Sequence, residues 1–152
     1  RDAASLSLAG HDALPAMMKT LSDDHAAVRF WGAIGIGNIK KEGIEAIPQL
    51  HSLMQNDASD AVRTAAARAL IRMGQPQEAL DVLAQILNDG TQWARLRAAI
   101  VLDETDRTAL PVLETMKQNK TYRQGMVADG KYTVRVLNRA LNELLGTHEV
   151  VP

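Results

Sequence analysis

One segment of eighteen residues, Asp57 to Gly74, constrains the fold more than any other part of the sequence. Ser59 or Asp60 can accept hydrogen bonds from first-turn amides, and Gly74 can adopt the left-handed conformation that closes a last turn. The apolar residues between these ends recur at helical spacing: Val62, Ala65, Ala66, Ala69, Leu70 and Met73. The segment therefore predicts one amphipathic helix with both ends marked.

The same pattern recurs along the chain. An apolar residue followed by Arg appears at steps of 34, 34 and 38 residues: Val28-Arg29, Val62-Arg63, Leu96-Arg97 and Val134-Arg135. A second marker, Ala followed by Leu or Ile, appears at steps of 33, 33 and 30 residues: Ala13, Ala46, Ala79 and Ala109. Two markers in phase over four periods indicate a solenoid, in which stacking builds a core that no single repeat can bury.

Composition agrees with an array of helices. Ala and Leu are abundant and only 3% of residues are aromatic, whereas a sheet would be richer in aromatic and β-branched residues. We predict an all-α fold, a right-handed α-α superhelix with about nine helices and no strand. Its expected parts are a partial repeat over 1-10, full repeats over 11-42, 43-75, 76-106 and 107-146, and a loose tail over 147-152.

Charge and hydropathy narrow the classes of partner. The net charge is −1, so no global field favours nucleic acid or a membrane surface. No apolar run approaches the roughly 18 residues that a membrane span needs, and the absence of Cys leaves the redox compartment open. The chain begins at Arg1 within a helix-like pattern, so we expect it to be a fragment whose upstream part is missing.

Two segments share an Asp-x4-Val-Arg spacing, Asp23 to Arg29 and Asp57 to Arg63, and Pro15 and Pro48 stand in the helices before them. This pattern resembles the HEAT family of helical repeats over nearly the whole chain. In that family a turn Asp and a second-helix Arg form a ladder between neighbouring repeats. The resemblance implies this stacking role for Asp23, Arg29, Asp57, Arg63, Asp89, Arg97 and Arg135.

The later repeats depart from the family pattern. Asp89 lies seven rather than five residues before Leu96, and the fourth repeat has no Asp at the corresponding place. The ladder is therefore expected to be regular only in the first two repeats.

A narrower resemblance concerns three segments, AVRFWGAIGIGNI, RLRAAIVLDE and YTVRVLNRALNELLG. They resemble the HEAT region at the C-terminus of certain bacterial sulfatases, which are exported enzymes of sulfated-glycan breakdown. The likeness implies an exported accessory module that braces a catalytic domain or binds an anionic glycan; without it, a cytoplasmic location is expected. The nucleophile motif of sulfatases, Cys or Ser-x-Pro-x-Arg, does not occur in these residues, so the chemistry would lie upstream.

The sequence contains no recognisable catalytic constellation. Its four histidines stand far apart and none has metal-ligand spacing. The glycines of GAIGIGNI lie in a helical pattern with no preceding strand, so we interpret them as packing residues at a close helix approach rather than a phosphate loop. We therefore predict no catalytic residue, no metal and no cofactor.

Three polar residues interrupt the apolar stripes: Asp103, Asn138 and Asn142. A buried carboxylate is costly without a partner, so Asp103 is expected to pair with Arg135 or Arg139. The asparagines are expected to form a polar cap where the array finishes, and a ligand contact is the alternative.

Arginines supply the main functional lead, because eight of the eleven fall in second helices of the predicted repeats. The HEAT resemblance implies that these helices line the concave wall, where a basic groove would suit carboxylate, sulfate or phosphate. The candidate binding residues are Arg68, Arg72, Trp93, Arg95 and Arg139. The alternative is that half of the arginines support stacking and the rest are solvated. Trp31, near the same wall, is expected in the core.

These observations favour a non-catalytic interaction or scaffold module. Its partner would be a protein, either a neighbouring domain of the same chain or a separate molecule, with a sulfated glycan as a second possibility. The alternative is a HEAT-like enzyme such as a bilin lyase or a DNA-repair glycosylase. Such an enzyme needs an acid and an aromatic group in one groove, and Asp103 with Trp93 is the candidate pair.

Overall fold

A computed structural model describes residues 13–120 and 128–151. The regular structure in these ranges consists of helices. The α-helices are α1 (13–20), α2 (Ala26–Ile39), α3 (Ile47–Asn56), α4 (Asp60–Arg72), α5 (Gln77–Asp89), α6 (Gln92–Glu104), α7 (Leu113–Asn119) and α8 (Ala128–Leu145). No strand occurs in these ranges, and the predicted all-α fold is confirmed. Eight of the nine predicted helices have a counterpart here, whereas the first, over residues 1–9, lies outside the described residues.

The chain divides into two compact units, Arg1–Pro76 and Gln77–Pro152. In the first unit α2 packs beside α4, and α3 packs against α4. In the second unit α6 packs beside α8, and α5 packs against α6. Each unit thus contains two consecutive helix pairs whose second helices lie side by side. The largest fully buried side chains come from both members of the pairs: Ile36, Leu50, Met54 and Leu70 in the first unit, and Leu83, Leu87, Leu102, Met116, Leu137 and Leu141 in the second.

Two first helices start later than the periodicity predicts, at Ile47 instead of Ile44 and at Leu113 instead of Thr108. A 3-10 helix, Lys40–Ala46, precedes α3, and another, Asp106–Val112, precedes α7. Their tighter winding is visible where the Ile47 N–H donates to the Ile44 carbonyl and the Leu113 N–H to the Leu110 carbonyl, each three residues back. In contrast α8 starts at Ala128, four residues before Tyr132, where the periodicity predicts its start.

In each of the four helix pairs, the second helix is followed within two residues by a residue with positive φ. The four residues are Lys40 (51°), Gly74 (83°), Asp106 (49°) and Gly146 (65°). After α4 the Gln75 N–H donates to the Leu70 carbonyl, and after α8 the Thr147 N–H donates to the Asn142 carbonyl. These six-to-one bonds are the Schellman closure, so the predicted stops at Gly74 and Gly146 are confirmed.

Close packing of α2 against α4 depends on Gly37. A Cβ atom at this position would lie 2.9 Å from the Ala69 Cα. The predicted reason for a glycine here, close approach of a neighbouring helix backbone, is confirmed.

Three residues that the helical periodicity places on the buried stripes are exposed instead: Val28, Trp31 and Ile100. Trp31 keeps 68% of its surface accessible, although its counterpart in α4, Ala65, is buried. Ile100 is 41% exposed, and its position in α6 matches that of Arg68 in α4, which is not among the buried residues of that helix. The 34-residue spacing predicted from Leu96-Arg97 is therefore wrong by two residues in the third repeat.

Candidate functional site

Arginine at the fourth residue of a second helix is the feature that the repeats share. Arg29 is the fourth residue of α2, Arg63 of α4 and Arg95 of α6. The ladder position predicted for Arg97 thus belongs to Arg95, since α6 begins at Gln92. Arg135 is the eighth residue of α8, so it does not correspond to these three arginines.

Arg29 connects two consecutive repeats of the first unit. Its Nε donates to Asp57 Oδ2 at 2.7 Å, and its Nη2 donates to Asp57 Oδ1 at 3.0 Å. Its Nη1 donates to the carbonyl oxygens of Asp23 and Asp24, in the turn of its own repeat. A bidentate, charge-assisted pair of this kind fixes geometry as well as adding energy. We call such a contact, from a second-helix Arg to the turn of the next repeat, a rung.

The environment of the Asp57 carboxylate favours its charged form. Its side chain is only 3% exposed, and this burial by itself raises the pKa. Hydrogen bonds from Arg29 and from the Ser59 N–H, together with the charge of Arg29, outweigh burial and hold the pKa of Asp57 below its ordinary value. The hydrogen bond with Asp57 in turn raises the pKa of Arg29. The prediction that Ser59 or Asp60 caps the first-turn amides of α4 is wrong, because the N-cap residue Ser59 makes no side-chain capping hydrogen bond; its own N–H donates to Asp57 Oδ1.

The second unit contains a neutral version of the same rung. Arg95 Nε donates to the Leu87 carbonyl at 2.9 Å, and Arg95 Nη2 donates to Asn119 Oδ1 at 3.2 Å. The buried Asn119 donates through Nδ2 to Asn88 Oδ1 and to the Thr115 carbonyl. Asn119 is not among the residues predicted from the sequence, although its place at the end of a first helix, like that of Asp57, is the signal that identifies it.

The remaining ladder candidates make other contacts. Arg63 Nε donates to the Met54 carbonyl and its Nη1 to Asp60, so within its unit it caps α3 and supports the start of α4. The Asp23 carboxylate does not pair with Arg29 but accepts, at 2.8 Å, the N–H of His25, the residue that precedes α2. This hydrogen bond from the His25 backbone lowers the pKa of Asp23. Exposed residues make up the rest of the predicted ladder: Asp89, Arg97 and Arg135.

Two of the predicted binding arginines extend from α4 to the end of α2. Arg72 Nε donates to the Gly37 carbonyl at 2.8 Å, and Arg68 Nη1 donates to Asn38 Oδ1 at 3.4 Å. The Gly37 carbonyl lies in the last turn of α2, where backbone acceptors lack partners within the helix. Arg72 therefore caps α2 across the helix-helix contact.

Asp103 and Arg139 form the corresponding contact in the second unit. Arg139 donates through Nη2 to Asp103 Oδ2 and through Nε to Oδ1 at 3.4 Å, while Glu143 lies 4.0 Å away. The hydrogen bond with Asp103 raises the pKa of Arg139. The predicted pairing of Asp103 with an arginine of the next repeat is thus confirmed for Arg139.

Asn138 and Asn142 bind the backbone of the residues that follow α8. Both Nδ2 groups donate to the Glu149 carbonyl at 2.8 Å, and the Glu149 N–H donates to Asn142 Oδ1 at 3.1 Å. Thr147 Oγ1 also donates to Asn142 Oδ1, and Lys120 pairs with the Glu149 carboxylate. These hydrogen bonds attach Thr147 and Glu149 of the predicted tail to α8, whereas Val150 is 92% exposed.

Within each unit, the predicted binding residues lie apart or make separate contacts. Trp93 is 59% exposed, but Asp103 lies ten residues later on α6, a separation of about 15 Å along the helix axis. Arg95 belongs to a rung, and Arg139 pairs with Asp103. Arg68 and Arg72 stand in the first unit, and each has its own contact there.

An apolar groove of about 380 Å³ lies between α1 and α2. Seven residues line it: Met17, Thr20, Ala27, Val28, Trp31, Gly32 and Gly35. The corresponding residues of α4 include Val62, Ala66 and Ala69, which are buried. The groove thus lies on the face of α2 that corresponds to a buried face of α4.

Within 13–120 and 128–151 the structure brings no three His, Asp or Glu residues into a group that could hold a metal ion. None of the helices described there is both long and apolar enough to span a bilayer. What the described side chains offer is hydrogen bonding between repeats and a few exposed apolar faces.

A family model of HEAT repeats matches the chain over residues 14–103 and 47–124. No curated protein gives a significant match. The matched ranges include α2 to α7 and therefore both rungs. Together with the paired helices and the shared position of Arg29, Arg63 and Arg95, this match shows that the chain belongs to the HEAT-repeat family.

Proposed function

We propose that this chain is a non-catalytic protein-interaction module whose second helices present exposed faces to a partner protein. The observation that carries the proposal is the outer face of α6, where Trp93 is 59% and Ile100 is 41% exposed. Residues seven apart lie on the same face of a helix, so these two side chains form one apolar stripe. Exposed Arg97 lies between them. Trp and Arg are the residue types that dominate binding energy at protein interfaces.

The use of the arginines supports a protein partner over a polyanion. Arg29, Arg72 and Arg95 donate hydrogen bonds to carboxylate, amide or backbone acceptors of the protein itself. Arg63 and Arg139 do the same. A guanidinium engaged in this way has fewer donors left for sulfate or phosphate. The net charge of −1 adds no long-range attraction for an anionic glycan.

Site-specific photo-crosslinking in the source cells tests the interaction face. A photoreactive phenylalanine analogue replaces Trp93 in one variant and exposed Asp81 of α5 in the control. We expect a discrete crosslinked protein at position 93, lost when Ile100→Asp is added, and none at position 81. Identical products at both positions, or none at position 93, would contradict the assignment of this face.

In its more specific form, we propose that the module is the C-terminal accessory region of an exported bacterial sulfatase and braces its catalytic domain. The support is the resemblance of the three segments around α2, α6 and α8, and the exposed face of α6 fits a bracing contact. The decisive measurement is the coding sequence upstream of Arg1. A Cys or Ser-x-Pro-x-Arg motif there is the expected result, and finding only further helical repeats would remove the sulfatase context.

The enzyme alternative, a bilin lyase or DNA-repair glycosylase, receives little support from the geometry. It needs Asp103 and Trp93 around one ligand, yet the two lie near opposite ends of α6 and the Asp103 carboxylate is paired with Arg139. An assay for excision of alkylated bases from duplex DNA tests this alternative. Activity that Asp103→Asn abolishes would favour the repair enzyme over the interaction module.

A further inference from the structure

The residues after α8 occupy a polar site that binds them mainly through backbone groups. The Glu149 N–H and carbonyl both bond to the Asn142 side-chain amide, which serves as acceptor and donor for the same residue. Such pairing with a backbone N–H and carbonyl depends little on the identity of the bound residue. Two side chains of the segment also take part: the Thr147 hydroxyl donates to Asn142 Oδ1, and the Glu149 carboxylate pairs with Lys120, which adds a requirement for an acidic residue.

Asn138 leaves one part of this site unused. Its Nδ2 donates to the Glu149 carbonyl, but its Oδ1 is buried and accepts no hydrogen bond from any described residue. Asn138 is only 7% exposed, so water does not readily replace the missing donor. A buried acceptor without a donor typically costs about 1–3 kcal/mol. The intramolecular segment therefore fills the site incompletely, and one further backbone N–H would complete it.

The intramolecular contact is also weakly anchored. It consists of hydrogen bonds, worth about 1 kcal/mol each, and of an ion pair with a largely exposed Glu149 carboxylate that adds at most about 1 kcal/mol. Val150, the next apolar side chain, is 92% exposed and contributes no buried anchor. A competing segment that satisfies Asn138 can therefore displace it.

We propose that Asn138, Asn142 and Lys120 form a binding site for an extended acidic segment of a partner protein, and that residues 147–151 occupy this site as an intramolecular competitor. The partner supplies a backbone N–H and carbonyl to Asn142, a further N–H to Asn138 Oδ1, and a Glu or Asp side chain to Lys120. This inference names a partner class for the interaction module and so rests on the proposed function.

Fluorescence anisotropy with a labelled peptide tests the site. The probe is a synthetic peptide with the sequence of residues 145–152, LGTHEVVP, and the proteins are the full chain and a variant truncated after Gly146. We expect saturable binding to the truncated chain and at least tenfold weaker binding to the full chain, where the tethered segment acts at high effective concentration. Asn142→Ala in the truncated chain should lower affinity at least tenfold while the thermal transition stays cooperative.

Two altered peptides separate this site from non-specific association without changing the protein. N-methylation of the Glu amide removes the N–H that Asn142 accepts and should reduce binding at least tenfold. Replacing that Glu by Gln should weaken binding several-fold and remove its salt dependence. Equal binding of all three peptides, or no saturable binding up to millimolar concentration, overturns the proposal.

A full-length variant serves as the control for the possibility that the truncated chain does not fold. Glu149→Pro keeps the chain length but removes both the N–H given to Asn142 and the carboxylate given to Lys120. It should bind the unmodified peptide as the truncated chain does, and failure of both variants to bind overturns the site. If the peptide does not bind while position 93 still crosslinks to a partner, only this inference is contradicted. If both experiments fail, the proposed function as an interaction module is contradicted as well.

Discussion

At the scale of single residues, the two rungs differ by one charge. Asp57 accepts from Arg29 as a carboxylate with a lowered pKa, whereas Asn119 accepts from Arg95 as a neutral amide. The same second-helix arginine therefore works with either acceptor. Of the two rungs described, only the Arg29–Asp57 rung contains an acceptor that can titrate.

The charged rung predicts a specific loss of stability in acid. The folded pKa of Asp57 lies below its unfolded value of about 3.9, so the carboxylate stabilises the fold above that pH. This contribution disappears as the pH falls through the folded pKa. Urea unfolding between pH 6 and pH 2 should show that Asp57→Asn costs about 2 kcal/mol near neutrality and flattens the acid dependence. Asp81→Asn, at an exposed position of α5, is the control and should change neither quantity.

Neighbouring glycines of α2 predict opposite responses to the same substitution. Gly37→Ala places a Cβ 2.9 Å from the Ala69 Cα, so α2 and α4 must separate, and overpacking of this kind costs about 1–3 kcal/mol. At Gly35 the nearest atom is the Met17 sulfur at 3.7 Å, so Gly35→Ala should stabilise by up to about 1 kcal/mol through helix propensity. Thermal denaturation should lower the midpoint for the first variant and raise it for the second. Equal shifts would contradict the close approach at Gly37.

At the scale of helices, the sequence predicts the number and type of elements better than their register. Apolar periodicity identifies α4 and α5 because their stripes are regular and their ends carry ordinary signals. It misplaces the third repeat because Leu96-Arg97 mimics the Val62-Arg63 marker, while the residues that occupy those positions are Ala94 and Arg95. Ala94 is buried, but as a small residue it gives little hydrophobic signal.

The ends of the second helices predict a stabilising substitution. Lys40 has φ 51° and ψ −117°, a conformation that strains a residue with a Cβ by about 1–3 kcal/mol. Lys40→Gly removes this strain and should raise the free energy of unfolding by about 1 kcal/mol. The gain is smaller than the strain itself, because glycine also increases the conformational entropy of the unfolded chain. Gly74→Ala is the matched comparison and should lower it by about 1 kcal/mol. Urea titrations of both variants measure the difference, and a destabilised Lys40→Gly would contradict the strain at this end.

At the scale of the whole chain, repeat periodicity predicts the fold but not which residues remain available for binding. Contacts such as Arg95 with Asn119, or Asn142 with Glu149, join elements whose pairing is decided by three-dimensional packing and leaves no periodic signal. Asp103 with Arg139 could be anticipated, since a charge on an apolar stripe requires a partner. Charge counting alone therefore overestimates how many arginines can bind an external anion.

This use of arginines within the protein predicts weak binding to sulfated glycans. With a net charge of −1 and most second-helix arginines engaged, we expect the chain to elute from heparin at or below about 0.15 M salt, where exposed charges are screened beyond about 8 Å. A variant carrying Arg68→Gln and Arg72→Gln should elute at nearly the same salt as the parent. Exposed Arg107 provides the control, since Arg107→Gln removes one charge at a position outside α4. The contrary result is strong retention of the parent and of the Arg107→Gln control, but not of the double variant. It would assign glycan binding to α4. It would also favour a sulfatase module that binds an anionic glycan over one that braces the catalytic domain.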